Sequence, residues 1–214
     1  MPYLVVLLSL SLAYGLVGGL YLAPPDYLQG EGFRILYVHV PCAFLSLTVY
    51  AAMAFFAVSG LVWRLKLAFR MMTESAGIGA LFTFLALLTG SLWGKPMWGT
   101  FWIWDARLTS ELILLFLYLG TMALHAAIPN RRVADQATAV LVLIGFVDIP
   151  IIHYSVNWWN TLHQGSTLRL FAPSLIDPQM LYPLIAMIVA FAAYYALVLL
   201  LRLRCVFAAE LGAR

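Results

Sequence analysis

The chain has 214 residues, of which 64% are hydrophobic and only 10% are charged, whereas about 25% of residues are charged in ordinary soluble domains. Its formal net charge is +3, and the basic residues are scattered between apolar runs. So few charges cannot cover the surface of a soluble domain, and a nucleic-acid-binding protein would concentrate Lys and Arg on one face. The composition therefore excludes both classes and predicts an integral membrane protein that contacts the lipid bilayer.

Six segments are predicted to cross the membrane, because each holds close to the roughly 20 apolar residues that a transmembrane helix needs. They are about 3–22, 36–62, 75–92, 110–128, 137–153 and 181–201. The fifth is the weakest, since it carries Asp148 and Pro150. The first has no preceding Lys or Arg, so we interpret it as a retained helix and not as a cleaved signal. The predicted fold class is an all-α membrane protein with one domain over residues 1–214.

The positive charges predict the orientation, because Lys and Arg accumulate in cytoplasmic loops. The loops after spans 2 and 4 and the C-terminus carry Arg64, Lys66, Arg70, Arg131, Arg132, Arg202, Arg204 and Arg214; the other loops carry Arg34, Lys95, Arg107 and Arg169. Both termini are therefore predicted to be cytoplasmic. The long loops, about 23–35, 93–109 and 154–180, are then periplasmic, and we expect function there.

The tryptophans are concentrated on the predicted outer side. Trp93, Trp98, Trp102 and Trp104 fall in the second outer loop, Trp158 and Trp159 fall in the third, and Trp63 alone lies on the inner side. An interfacial belt would divide tryptophans between the two sides. The clustering instead predicts a flat aromatic platform above the outer leaflet, suited to a planar apolar ligand such as a porphyrin.

A porphyrin iron also needs axial ligands, commonly histidine, and its carboxylates need cations. His39, His153 and His163 lie on the tryptophan side, and His125 lies at the inner end of span 4, where we interpret it as structural. Two of the three outer histidines would give six-coordinate iron, and the residues alone leave open which two. Arg107 and Arg34 are the candidate partners for the carboxylates, whereas we interpret Arg169 as a helix-flanking anchor.

Three stretches of the sequence resemble segments of a known protein family. The stretch Trp93–Gly120, WGKPMWGTFWIWDARLTSELILLFLYLG, resembles the tryptophan-rich "WWD" signature of the haem-handling membrane proteins of cytochrome c maturation, and among these the CcmC family. The stretches RILYVHVPCA (34–43) and IPIIHYSVNWWNTLHQGST (149–167) are similar to that family's other two outer segments. The resemblance covers roughly residues 23–170.

The resemblance implies roles for individual residues. The two haem-ligating histidines fall on His39 and His163, and the acidic residue falls on Asp105. The tryptophan platform falls on Trp93, Trp98, Trp102 and Trp104. Phe101 stands where relatives often have a second adjacent Trp, so an aromatic face is retained there while an indole N–H donor is lost.

The resemblance also implies a function in the bacterial inner membrane. The protein would bind haem b at the outer face and present it to a membrane-anchored periplasmic haem chaperone, without being an enzyme itself. Its partners would be an ATP-binding-cassette ATPase, a second membrane subunit and a small single-span subunit. A haem lyase is the alternative, although a lyase would have more histidines and more spans. A membrane cytochrome b subunit is a third, which would place histidine pairs near mid-membrane.

Two acidic residues lie in apolar surroundings. Glu111 is predicted to sit in the first turn of span 4, where it complements the helix dipole behind the capping hydroxyls of Thr109 and Ser110. Asp148 is an intramembrane acid and therefore a functional candidate. Its partner is left open between an outer-loop group near His153 and a group on a neighbouring helix.

Overall fold

The computed structural model describes residues 1–163 and 176–212. Its helices are α1 (Pro2–Val17), α2 (Leu36–Trp63), α3 (Lys66–Trp98), α4 (Ala106–Ala127), α5 (Arg131–Gly145), α6 (Asp148–Trp158) and α7 (Pro178–Gly212), with a π-helical turn at Gly18–Leu22 and a 3-10 turn at Glu31–Ile35. Six segments are long and apolar enough to cross a membrane: Pro2–Leu22, Glu31–Trp63, Lys66–Trp98, Ala106–Ala127, Arg131–Trp158 and Pro178–Gly212. The predicted six-span, all-α fold is therefore confirmed.

Helix α2 lies at the centre of the bundle and packs against α3, α5 and α7, while α1 lies on the outside against α7. Small residues allow large buried side chains between the helices. A Cβ at Gly79 on α3 would overlap the ring of Tyr118 on α4. Tyr118 in turn meets Tyr50 of α2 edge-on, at 5.0 Å between ring centroids. These fully buried tyrosines join α2, α3 and α4 into one core.

Helices α3 and α6 extend into the predicted outer loops, which shortens those loops. Helix α3 continues to Trp98 and ends at Gly99, whose φ of 79° is the left-handed conformation typical of a helix C-terminus. The predicted loop 93–109 is therefore only the connection 99–105, and Trp93, Lys95 and Trp98 are helical. Helix α6 likewise continues to Trp158.

The fifth span is confirmed but interrupted. Helix α5 ends at Gly145 and α6 begins at Asp148, so the span is made of two helical pieces. Pro150 lies in the first turn of α6, where a missing backbone N–H removes no helical hydrogen bond. The side chain of Asp148 faces inward and the residue is 8% exposed.

The start of α4 differs from the prediction. Asp105 caps the helix, since its Oδ1 accepts from the backbone N–H of Leu108 at 2.8 Å. Glu111 therefore lies in the second turn and not in the first, and it is buried at 8% exposure. The prediction of a first-turn carboxylate behind the capping hydroxyls of Thr109 and Ser110 was wrong, because those residues are already inside the helix.

Candidate functional site

Four chain segments meet at one end of the bundle, which we call the site end. Helices α2 and α4 begin there, and α3 and α6 end there. The predicted functional residues gather on these segments because alternate spans return the chain to the same end. The initial turns of α2 and α4 carry His39 and Arg107, the last turns of α3 carry Trp93 and Trp98, and His163 follows α6.

The imidazole of His39 is oriented by α3. Its Nδ1 lies 3.1 Å from the backbone oxygen of Ala86 and 3.1 Å from the hydroxyl of Thr89. A carbonyl oxygen only accepts, so the Nδ1 carries the proton and the Nε2 keeps its lone pair. Within the described chain the Nε2 makes no hydrogen bond. Metal-binding histidines typically use this arrangement, in which the second nitrogen donates to a carbonyl or carboxylate.

The same stretch of α3 encloses the His39 ring on two sides. A Cβ at Gly90 would lie 2.9 Å from the Cε1 of His39, which is closer than non-bonded carbon atoms approach each other. One turn later, the Trp93 ring meets His39 edge-on, with 5.6 Å between ring centroids. The Trp93 indole N–H donates to the side chain of Gln29 at 2.9 Å. Glycine at position 90 therefore provides the room that the imidazole occupies.

The imidazole of His163 is oriented by α4. Its Nδ1 lies 3.1 Å from the Oδ2 of Asp105 and 3.2 Å from the hydroxyl of Thr161. Thr161 also donates to Asp105. Because an ionised carboxylate only accepts, the proton is again on Nδ1 and the Nε2 keeps its lone pair, which accepts no hydrogen bond from the residues that the structure describes. The Trp98 ring lies edge-on at 4.7 Å between ring centroids, so each histidine has one tryptophan beside it.

Burial favours the neutral form of the His163 imidazole. Burial raises the pKa of the Asp105 carboxyl, but hydrogen bonds from Thr161, the Leu108 N–H and His163 outweigh burial and hold this pKa below its ordinary value. Burial lowers the pKa of His163; Asp105 opposes the shift without reversing it, and Arg107 adds to it. The result is an ionised carboxylate beside a neutral imidazole, which is the form that binds metals.

Arg107 supplies positive charge to this site. Its charge acts on both His39 and His163. Among the residues that the structure describes, its guanidinium forms no hydrogen bond and no ion pair. Arg107 is therefore available for a carboxylate that comes from a ligand.

Arg34, by contrast, already has three partners. Its guanidinium donates to the backbone oxygens of Gly19 at 2.7 Å and Ala23 at 3.1 Å, and it pairs with Glu31. These bonds tie the turn after α1 to the segment before α2. The role of Arg34 toward a ligand stays a prediction.

The tryptophans surround the site but do not form one flat surface. The rings of Trp102 and Trp104 lie 5.4 Å apart at an interplanar angle of 76°, so the predicted flat platform is wrong for this pair. Trp104 is 77% exposed. The indole nitrogen of Trp102 is buried with no hydrogen-bond partner in the described chain. Lys95 lies over the ring of Phe101, with its Nζ 5.2 Å from the ring centroid.

The remaining described candidates make no hydrogen bond or ring contact with His39 or His163. His153 is exposed, with its ring edge-on to Tyr154, and it does not meet the buried Asp148. His125 pairs with Asp135 at 3.0 Å, in agreement with a structural role. Trp158 and Trp159 are 57% and 50% exposed. Arg169 falls outside the described residues.

Sequence reasoning missed the residues that orient the two histidines: Ala86, Thr89, Gly90 and Thr161. In the sequence, Thr89 and Gly90 look like ordinary residues of an apolar transmembrane segment. Their role follows only from the way α3 faces α2. The described residues contain no group of three or more His, Cys, Asp or Glu side chains that could bind a bare metal ion. Two imidazoles alone suit an iron whose other ligands come from a macrocycle.

The chain is similar in sequence to proteins of one family. The sequence profile of the family described as "CcmC: Heme exporter protein C" matches residues 1–211. The "Heme exporter protein C" of Escherichia coli K12 is 53% identical over 203 residues, covering 95% of this chain and 82% of the relative. That of Haemophilus influenzae is 52% identical over 204 residues, with coverage of 95% and 82%. A "Putative cytochrome c biosynthesis ccmC-like mitochondrial protein" of Marchantia polymorpha is 48% identical over 173 residues, with coverage of 80% and 72%.

Proposed function

Because the chain belongs to the haem exporter protein C family, we propose that it binds haem b between His39 and His163 at the outer face of the membrane. The chain is a multi-pass protein of the bacterial inner membrane, and it handles haem in cytochrome c maturation. The family membership does not identify the residues that hold the haem. The contacts at the site end support the assignment made here.

The main support for the proposal is that the two imidazoles carry their proton on the same ring nitrogen, Nδ1. Each Nδ1 is bonded to an acceptor of the chain, Ala86 for His39 and Asp105 for His163. Each Nε2 keeps its lone pair, and no residue in the described part of the chain donates a hydrogen bond to it. Haem iron has four macrocycle nitrogens and two axial positions. Two fixed, neutral imidazoles at one end of the bundle fit those positions. When bound, the iron would supply the Lewis acidity, and the chain supplies ligands held in one orientation.

The polar and aromatic groups around the histidines fit the rest of the cargo. Arg107 can pair with a haem carboxylate through its planar guanidinium. The buried Trp102 indole nitrogen needs an acceptor that the described chain does not provide, since unpaired buried donors are rare. Trp98 and the exposed Trp104 offer ring faces and edges to the macrocycle. Arg34 would be the second cation.

We propose that the protein transfers haem without catalysing a bond change, as one component of a complex. The partners proposed are an ATP-binding-cassette ATPase, a second membrane subunit, a small single-span subunit and a membrane-anchored periplasmic haem chaperone. The whole chain acts as a single domain with both termini cytoplasmic. The lyase alternative is not supported, because the relatives are named exporter proteins. A cytochrome b subunit would need a histidine pair within its spans, whereas His39 and His163 both lie at the bundle end.

Ligand replacement tests the proposal. Purified His39→Gly and His163→Gly proteins should each lose the low-spin spectrum of six-coordinate haem, and added imidazole should restore it by filling the vacated axial position. His153→Ala is the matched control, because this histidine is exposed on the same side of the protein and should leave the spectrum intact. If either glycine variant keeps an unchanged low-spin spectrum, that histidine is not an iron ligand.

A further inference from the structure

The carboxyl of Glu111 lies inside the bundle and has no role in the haem site described above. It follows Arg107 by one turn of α4, and the residue is 8% exposed. Its Oε1 lies 2.7 Å from the hydroxyl of Ser46 on α2. An ionisable group within a membrane span is costly and typically functional. Helix capping does not explain it, since Asp105 is the cap.

Ser46 can serve Glu111 in both protonation states. Its hydroxyl has one proton and lies within hydrogen-bonding distance of two acceptors, Glu111 at 2.7 Å and the backbone oxygen of Ala43 at 2.8 Å. If Glu111 is ionised, Ser46 donates to the carboxylate. If Glu111 is neutral, its O–H donates to Ser46, and Ser46 turns its own proton to Ala43. No heavy atom has to move between these states.

Few charges reach Glu111. Arg107 precedes Glu111 by one turn of the same helix, and Asp148 begins α6, which packs against α4. Tyr118 of α4 donates its hydroxyl proton to the backbone oxygen of Ser46 at 2.6 Å. Helix α2 contains no Asp, Glu, Lys or Arg. Helices α3 and α5 carry their charges toward their ends, at Lys66, Arg70, Glu74, Lys95, Arg131, Arg132 and Asp135. Arg107 is thus the cation that acts on Glu111 in the described chain.

The positive charge of Arg107 in turn needs Glu111 as a nearby negative charge. Two acidic residues flank it on the chain, Asp105 two residues before it and Glu111 one helical turn after it. Asp105 is already bonded to His163, Thr161 and the Leu108 N–H. Glu111 is the acid left to balance Arg107. A haem carboxylate paired with Arg107 would take over that balance and would leave a charged Glu111 uncompensated inside the membrane.

We propose that Glu111 is a proton-binding positioning residue, whose carboxylate balances Arg107 until a haem carboxylate pairs with Arg107 and which then takes up one proton from solution. The inference rests on the proposed haem site. Arg107 stays charged throughout, and one proton moves from water to Glu111 as one haem carboxylate arrives. The net charge of the site is therefore the same before and after loading, and haem release returns the proton.

Proton uptake on haem loading tests the inference directly. Haem is titrated into the purified full-length protein in weakly buffered detergent with a pH indicator, between pH 8 and pH 9. Both imidazoles are neutral in this window at an ordinary pKa of about 6.5, and iron binding to a protonated imidazole would release protons instead. The wild type should take up about one more proton per haem than Glu111→Gln, by proton linkage. Asp148→Asn, equally buried, is the matched control and should behave like the wild type.

The outcomes separate this inference from the proposed function. Equal proton uptake by the wild type and Glu111→Gln, with both showing the low-spin haem spectrum, would overturn the role of Glu111 and leave the haem site standing. Absence of that spectrum in the wild type would overturn the haem site itself. If the Glu111→Gln variant does not fold, infrared difference spectra of the wild type, recorded before and after haem loading, replace the comparison with that variant. Haem loading should increase the protonated-carboxyl C=O absorption, and no increase overturns the inference.

Discussion

Replacing Gly90 by Ala should weaken haem binding by displacing the imidazole of His39, the side chain that the new methyl group would contact. The new Cβ would lie 2.9 Å from the His39 Cε1 and 3.4 Å from its Nδ1, so the imidazole must move away from α3. That movement stretches its bonds to Ala86 and Thr89. Overpacking of this kind costs typically about 1–3 kcal/mol, and a strained hydrogen bond forfeits part of about 0.5–1.5 kcal/mol.

The net cost of about 2–3 kcal/mol corresponds to a loss of haem affinity of roughly 30- to 150-fold at about 1.4 kcal/mol per decade. Haem-to-protein ratios and the low-spin spectrum of the purified variant measure this loss, and thermal unfolding measures stability alongside. Gly120→Ala is the matched control, because nothing lies within 4 Å of its Cβ position in the middle of α4. Unchanged affinity and an unchanged spectrum for Gly90→Ala would refute the idea that α3 sets the orientation of His39.

Three further outcomes are expected. Alkaline phosphatase fused after residue 108 should be active and fused after residue 132 inactive; the reverse would place the site end in the cytoplasm. Trp98→Phe should retain most of the haem because a ring still meets His163, whereas Trp98→Ala should lower haem retention at least about tenfold, and equal retention by both would exclude a haem contact. Arg107→Ala should weaken binding of haem but not of its dimethyl ester, whose carboxylates are blocked, and an equal loss for both ligands would contradict the carboxylate pairing.

The candidate site could be predicted largely from side-chain chemistry and from its side of the membrane. His39 and His163 are far apart in sequence. They share an end of the bundle because the chain between them crosses the membrane an even number of times. The roles of Glu111 and Gly90 could not be predicted in this way. Each depends on which face of one helix meets another, and an apolar span has too little amphipathic pattern to show its buried face.

The sequence by itself determined the number of spans, because burial in lipid requires about 20 apolar residues whatever the neighbouring helices do. Tertiary structure decided the helix ends, the break between α5 and α6, and the edge-on arrangement of Trp102 and Trp104. It also decided the protonated nitrogen of each imidazole, since that depends on Ala86 and Asp105, which other segments bring into contact. Hydropathy is a property of the local chain, whereas a hydrogen-bond partner on another helix is a property of packing.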